Sequence, residues 1–299
     1  MSEVVQPSVN LPNFEILGLL GKGGMAAVWK ARQISLDRMV AVKILASSFI
    51  GTEEELKQFR QEARTAAQLK HPNIVQVYDA NFSNGSCFFV MELVEGYTMG
   101  DWLRRKKIMP VEDALIIAES VAVALDYAWN FHKMVHCDIK PDNIMADADG
   151  TVKVTDLGLC KTFSRMKETA RISDDIWGTP AYMSPEQIYG TTRLDCRSDI
   201  YSLGATLYHL ITGRSLFIGL DDENMMRAHV GQNQGPDPRI FVPHIKMSVE
   251  TLLERMLAKN PENRYQDWKE VLSDLHSIHN NHPIDWVALP EFGSSMQKG

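Results

Sequence analysis

A chain of 299 residues, 44% hydrophobic and 23% charged, is long enough to bury a full core in one large domain or in two lobes sharing a cleft. Its net charge of -7 argues against a nucleic-acid partner, because such partners reward a cationic surface. Four scattered cysteines, Cys87, Cys137, Cys160 and Cys196, never fall at C-x-x-C spacing. They give no sign of a zinc or dithiol motif and suit a reducing cytoplasm.

Met1 to Asn13 carry no basic-then-apolar leader pattern. The segments Phe14–Leu20, Ala27–Arg32 and Met39–Leu45 are short, apolar and valine-rich, which predicts consecutive strands, with a glycine cluster between the first two. Thr52 with Glu55 three residues on forms a capping box, and Leu56, Phe59, Ala63 and Ala66 follow at helical spacing. His71-Pro72-Asn73 ends that helix. Ile74–Tyr78 and Cys87–Leu93 are expected as two more strands, with a turn at Asn84-Gly85. Beyond Glu95-Gly96 the character becomes helical: Pro110 opens a long helix to Phe131, and Ser198–Thr212 and Ser248–Lys259 are further clear cases. The longest apolar stretch, Ala114–Ala128, is broken by Glu119 and Asp126, so it is expected as a core helix, not a membrane span. The fold class is therefore α+β, a small strand-rich lobe before a larger helix-rich one. A cytoplasmic location with no membrane segment is expected, an anchor in a longer parent protein being left open. Beyond His279 the chain, with Pro283 and Trp286, shows no pattern.

Five weak signals carry the chemistry. Gly21-Lys22-Gly23-Gly24-Met25-Ala26 lets backbone N–H groups approach a polyphosphate; no Gly-Lys-Ser/Thr closes it as in a P-loop, and the strand that follows rules out a dinucleotide turn. In Val40-Ala41-Val42-Lys43 the alternation places Lys43 on the face of Ala41, where a lysine needs a partner. Glu62 borders the apolar stripe of the following helix and could supply it. His136-Cys137-Asp138-Ile139-Lys140-Pro141-Asp142-Asn143 and Asp156-Leu157-Gly158 offer two carboxylates and an amide beyond apolar segments. Asp156 and Asn143 suit magnesium, and Asp138 can accept a hydroxyl proton. Last come Gly178-Thr179-Pro180 and Ser184-Pro185-Glu186, preceded by a polar segment with Thr162, Ser164, Thr169 and Ser173.

In this order, from about Phe14 to about His276, the motifs resemble the eukaryotic-like protein kinases. The resemblance implies a bilobal kinase fold over residues 14–276, with an N-lobe of about 14–95, a C-lobe of about 96–276 and flanking segments 1–13 and 277–299. It implies ATP and Mg2+, with Mn2+ an alternative, and protein substrates. Leu20, Gly21, Lys22, Gly23, Gly24 and Val28 would cover the nucleotide, with Ala26 at the third glycine position. Leu20, Ala41 and Met145 would sandwich adenine, Met91 would flank it, and Glu92 and Val94 would bond it through their backbone. Lys43, paired with Glu62, would hold the α/β-phosphates. Asp138 would be the base, Lys140 would steady the γ-phosphate, and Asn143 and Asp156 would bind metal. Asp199, Arg264 and Glu186 would be scaffold. Lys140 and Thr179 resemble the serine/threonine class, and the run from Gly178-Thr179-Pro180 through Tyr182-Met183-Ser184-Pro185-Glu186 resembles the bacterial transmembrane-type kinases, which implies a role in signalling with self-association and autophosphorylation. Leu157 replaces a phenylalanine. Cys137 replaces an arginine that receives an activating phosphate, so activity is expected to be independent of that contact.

Overall fold

The computed structural model describes residues 11–23, 26–45, 53–83, 86–157, 178–191, 193–285 and 289–297. The first lobe is a five-stranded antiparallel sheet in the order β1-β2-β3-β5-β4. Its strands are β1 (Phe14–Lys22), β2 (Ala26–Gln33), β3 (Arg38–Leu45), β4 (Val77–Ser83) and β5 (Ser86–Glu92). Strict alternation sorts β3 between two apolar layers. Val40, Val42 and Ile44 meet Trp29, Phe88 and Val90 on the outer face. Ala41 and Leu45 meet Phe89, Met91 and Ala63 on the other, where helix α1 (Glu53–Gln68) lies. The capping residue Thr52 and the turn Asn84-Gly85 lie outside the described residues.

β4 begins at Val77, later than the expected Ile74. Residues 73–75 are engaged elsewhere. Val154 N–H donates to Asn73 O at 2.8 Å, and Val75 N–H donates to Val154 O at 2.9 Å. Those bonds fasten the upper lobe to the lower, and a backbone spent there cannot also join the sheet.

The lower lobe carries a small sheet of β6 (Gly96–Thr98), β7 (Ile144–Asp147) and β8 (Val152–Val154) beside its helices. These are α2 (Met99–Lys106), α3 (Val111–His132), α4 (Pro185–Ile188), α5 (Cys196–Thr212), α6 (Asp222–Val230), α7 (Met247–Met256) and α8 (Trp268–His279). In α5 only Arg197 and His209 escape full burial. A helix buried on nearly every side belongs at the centre of a core, and α3 and α7 pack around it. By length and composition alone α3 could cross a membrane, but half of its most apolar window is buried within the lobe, as expected of a core helix.

The patternless C-terminal segment is part of this lobe. Residue pairs Gly235–Met296 and Ala258–Ser294 form isolated β-bridges, and Ser294, Ser295 and Met296 are buried. Its order comes from main-chain hydrogen bonds to distant loops, which leave no periodicity in a sequence.

Candidate active site

The crevice between the lobes is built from strand register above and a held loop below. Across the upper sheet Gly21, Val28 and Lys43 are successive register partners, and Ala41 pairs with Met91. The expected roof residues therefore share one row, with Lys43 at its inner end. Lys22 closes β1, and Gly23 N–H donates to Ala26 O at 2.9 Å, turning the chain into β2. A Cβ at Gly21 would meet nothing within 4 Å. Among the described residues no neighbour demands that glycine, and the space beside it is open. Leu20 at the rim is half exposed, at 51%. Gly24 lies outside the described residues.

At the back, Met91 is buried, and Glu92 and Val94 lie on the strand end and connector joining the lobes. The Glu92 carboxylate is engaged by Lys153 at 2.9 Å, and its backbone N–H donates to Gln76 O at 2.9 Å. Met145 pairs with Thr98 across β6 and β7 and supplies the floor.

Lys43 Nζ lies 2.7 Å from Asp156 Oδ1. Glu62 is on α1, but its side chain lies outside the described residues, so the expected Lys43–Glu62 pair falls there too. Burial pushes the Asp156 carboxyl up; the adjacent Lys43 ammonium, with smaller help from His136 and Lys140, outweighs this and holds it below the usual range. The sensitivity of Asp156 to Lys140 puts both walls of the cleft in one electrostatic neighbourhood.

On the lower wall Asp138 is the hub. Lys140 Nζ donates to its Oδ2 at 2.7 Å and to Thr179 Oγ1 at 2.7 Å. Thr179 donates to Oδ1 from its backbone and its hydroxyl, both at 3.1 Å. Asn143 Nδ2 donates to Asp138 O at 2.8 Å and to Oδ2 at 3.0 Å. The carboxylate is thus fixed in rotamer by three residues, and Thr179 ties it to the segment after Gly178.

The loop is held from beneath. Cys137 has φ +66° and Asp156 φ +65°, a left-handed region that costs a residue with a Cβ of order 1 kcal/mol or more. Asp199, buried on α5, offsets that cost at Cys137. Its two oxygens accept from His136 N at 2.6 Å and Cys137 N at 2.8 Å. His136 Nδ1 accepts from Asp138 N at 3.2 Å, which leaves Nε2–H to donate to Thr155 O at 2.8 Å. One imidazole therefore spaces the 136–143 loop from the segment that carries Asp156. Gln187 donates from Nε2 to Cys137 O at 2.7 Å, while its Oε1 accepts from Ser184 in a capping box. Sequence reasoning assigned nothing to His136 or Gln187; adjacency to the motifs was their only signal.

Glu186 and Arg264 meet in a fork of 2.6 and 2.8 Å. Arg264 also donates from Nε to Ala258 O, from Nη1 to Arg197 O and from Nη2 to Lys259 O, which uses all five donors in a side chain with no exposure. Burial raises Glu186, and hydrogen bonds and charge from Arg264 bring it below its usual value. This pair is scaffold, as expected.

The donors suit a divalent cation. With its Nδ2 committed to Asp138, Asn143 can offer only Oδ1, a hard oxygen like those of Asp156. Among the described residues no cluster of three or more His, Cys, Asp or Glu could hold a metal unaided. Two protein oxygens form a set that phosphate oxygens would complete.

A β-rich lobe over a helical one, with a lysine above and an Asp-Lys-Asn loop below one crevice, is a phosphotransferase architecture. The chain belongs to the protein kinase family, in its serine/threonine branch: residues 14–276 match the family described as "Protein kinase domain". It is 39% identical over 267 residues to a probable serine/threonine-protein kinase of Clostridium perfringens, covering 89% of this chain and 38% of that one. It is 36% identical to the serine/threonine-protein kinase PrkC of Bacillus subtilis, covering 88% and 40%. The crystal structure of the Mycobacterium tuberculosis PknI kinase domain superposes with a TM-score of 0.71 at 25% identity, covering 92% of this chain and 99% of that one. The chain spans about two fifths of the length of these two curated relatives. The family uses ATP and a divalent metal.

Proposed function

We propose that this chain transfers the γ-phosphoryl group of ATP to serine and threonine hydroxyls of proteins, with Mg2+ as the metal and Mn2+ able to replace it. The observation that carries the reading is Asp138, locked by Lys140, Thr179 and Asn143 opposite the Lys43–Asp156 pair. Asp138 orients the acceptor hydroxyl and takes its proton as the new O–P bond forms and the bond to ADP breaks. Lys43 and Lys140 meet the charge on the transferring group, and ADP leaves with the electron pair. Mg2+, held by Asp156 and Asn143, would add charge neutralisation between the phosphates. The setting is signalling in the cytoplasm, with self-association allowing one copy to phosphorylate another.

The test is incubation with Mg-ATP and a generic basic acceptor protein, with mass spectrometry of the chain itself. The parent should label the acceptor and its own hydroxyls, Lys43→Met should do neither, and Asp138→Asn should bind nucleotide with turnover lowered about 10²–10⁴-fold. An inert parent, or an Asp138→Asn variant as fast as the parent, refutes it.

A further inference from the structure

A second carboxylate beside the base is already taken by a cation from α2. Asn143 N–H donates to Lys140 O at 3.0 Å, closing residues 140–143 into one tight turn. Both ends of that turn, Lys140 and Asn143, bond the Asp138 carboxylate. Asp142 stands inside it, next to Asn143, so the two Cα atoms are about 3.8 Å apart. Its side chain is half exposed, at 52%. An acceptor that brings its hydroxyl to Asp138 must pass this turn. In an extended peptide each residue advances about 3.3 Å, so side chains two or three positions from the hydroxyl reach about 7–10 Å. Over that span a solvent-facing carboxylate still acts on a charge, since the screening length is about 8 Å in physiological salt.

The first turns of α2 are shaped to meet Asp142. Thr98 and Asp101 form a capping box: Asp101 N–H donates to Thr98 Oγ1 at 2.9 Å, and Thr98 N–H to Asp101 Oδ2 at 3.1 Å. A Cβ at Gly100 would collide with the Asp142 carboxylate, so any side chain there would push the helix away. One turn on, Arg104 Nη1 donates to Asp142 Oδ1 at 2.9 Å and Nη2 to Asp101 Oδ1 at 3.0 Å. Two carboxylates thus orient the guanidinium, and one of them is fixed by the cap. Arg105, Lys106 and Lys107 are exposed at the same helix end, where cations suit the negative end of the helix dipole. Arg104 instead turns back onto the catalytic loop. With 62% of its side chain exposed, its pair with Asp142 adds little to stability. What the pair changes is the charge that an incoming acceptor meets.

Without Arg104 the approach to the base would carry an uncancelled carboxylate, which would select acceptors whose hydroxyl is flanked by lysine or arginine. We infer that the Arg104–Asp142 pair sets the charge preference for the acceptor protein: Arg104 cancels Asp142, so hydroxyls with acidic or uncharged neighbours are accepted as readily as those with basic ones. The inference rests on the kinase activity proposed above. Both residues determine specificity, and neither touches the transferring phosphoryl group.

The test uses Mg-ATP and three peptides that share one threonine and carry lysine, glutamine or glutamate at the second and third positions on each side. The parent should use all three with kcat/KM values within about threefold of one another. Arg104→Gln should raise the lysine-to-glutamate ratio of kcat/KM about 10-fold, because the freed carboxylate attracts the first peptide and repels the last. In about 0.5 M salt that rise should shrink. Adding Asp142→Asn to Arg104→Gln rebalances the charge and should return the ratio to within about twofold of the parent. The KM for ATP should hold within about twofold throughout. A parent that already favours the lysine peptide more than about threefold overturns the inference. So does a ratio unmoved by Arg104→Gln, including a loss shared equally by all three peptides, the mark of a merely structural pair. A rise that survives in the double variant also overturns it. The same peptides with alanine for threonine, fluorescently labelled and titrated by anisotropy, give the ratio from Kd without turnover. An inactive parent would therefore refute the activity while the charge preference is still decided.

Discussion

Glu186→Ala tests how far this fold depends on one buried charge pair. The substitution strands Arg264, which has no exposed side-chain surface, with two of its five donors unmatched. Breaking a buried pair from one side costs about 3–5 kcal/mol, because the remaining charge keeps its desolvation without its partner. At this chain length each kcal/mol moves the midpoint by about 2 °C, so thermal unfolding followed by circular dichroism should shift by about 6–10 °C. Removing both partners, as Glu186→Met with Arg264→Met, should recover much of the loss, since no lone charge stays buried. The Glu186 pKa in the folded state lies below its ordinary 4.5. Its stabilisation is therefore complete above that ordinary value and fades as pH falls through the lower, folded one. The penalty of Glu186→Ala should be constant from pH 8 to 5 and shrink only in more acidic buffer. A shift under about 2 °C at pH 7, or a double variant worse than the single, would refute this reasoning.

Three further outcomes are expected. Asp199→Asn turns one of the two acceptors for His136 N and Cys137 N into a donor, so kcat should fall at least about 10-fold while ATP affinity, measured by calorimetry, holds. Replacing Thr162, Ser164, Thr169 and Ser173 together with alanine should leave turnover within about threefold; a large fall would show that Cys137 does not free the enzyme from an activating phosphate. His209 is lowered to about 4 by burial, so the unfolded chain binds the extra proton below pH 6.5 and stability is lost as pH falls from 6.5 toward 4. In urea titrations between pH 6.5 and 5, His209→Gln should remove about one proton from that slope; an unaltered slope would contradict its burial as a neutral ring.

The upper lobe was legible because β3 alternates without error: Val40, Val42 and Ile44 face one way and Ala41 and Leu45 the other, so the facing of Lys43 followed from parity alone. Asp138, Lys140, Asn143 and Asp156 were legible as ordered motifs. Their mutual geometry was not. The contact of Lys43 with Asp156 spans more than a hundred residues, a separation closed by packing and invisible to spacing. Gln187 escaped notice because its bonds run to a carbonyl, Cys137 O, and to the Ser184 cap, and many side chains carrying an N–H or O–H could make the first. Ser295 escaped because no periodicity marks a strand whose partners are loops at 233–235 and 257–259.

The twist at Cys137 runs against the preference of its own side chain and is imposed from below by Asp199. The Asp138 carboxylate thus inherits its aim from α5, a rod buried along nearly its whole length. A change to Asp199 should therefore reach the Asp138 carboxylate through the loop backbone, without altering any residue of the loop itself.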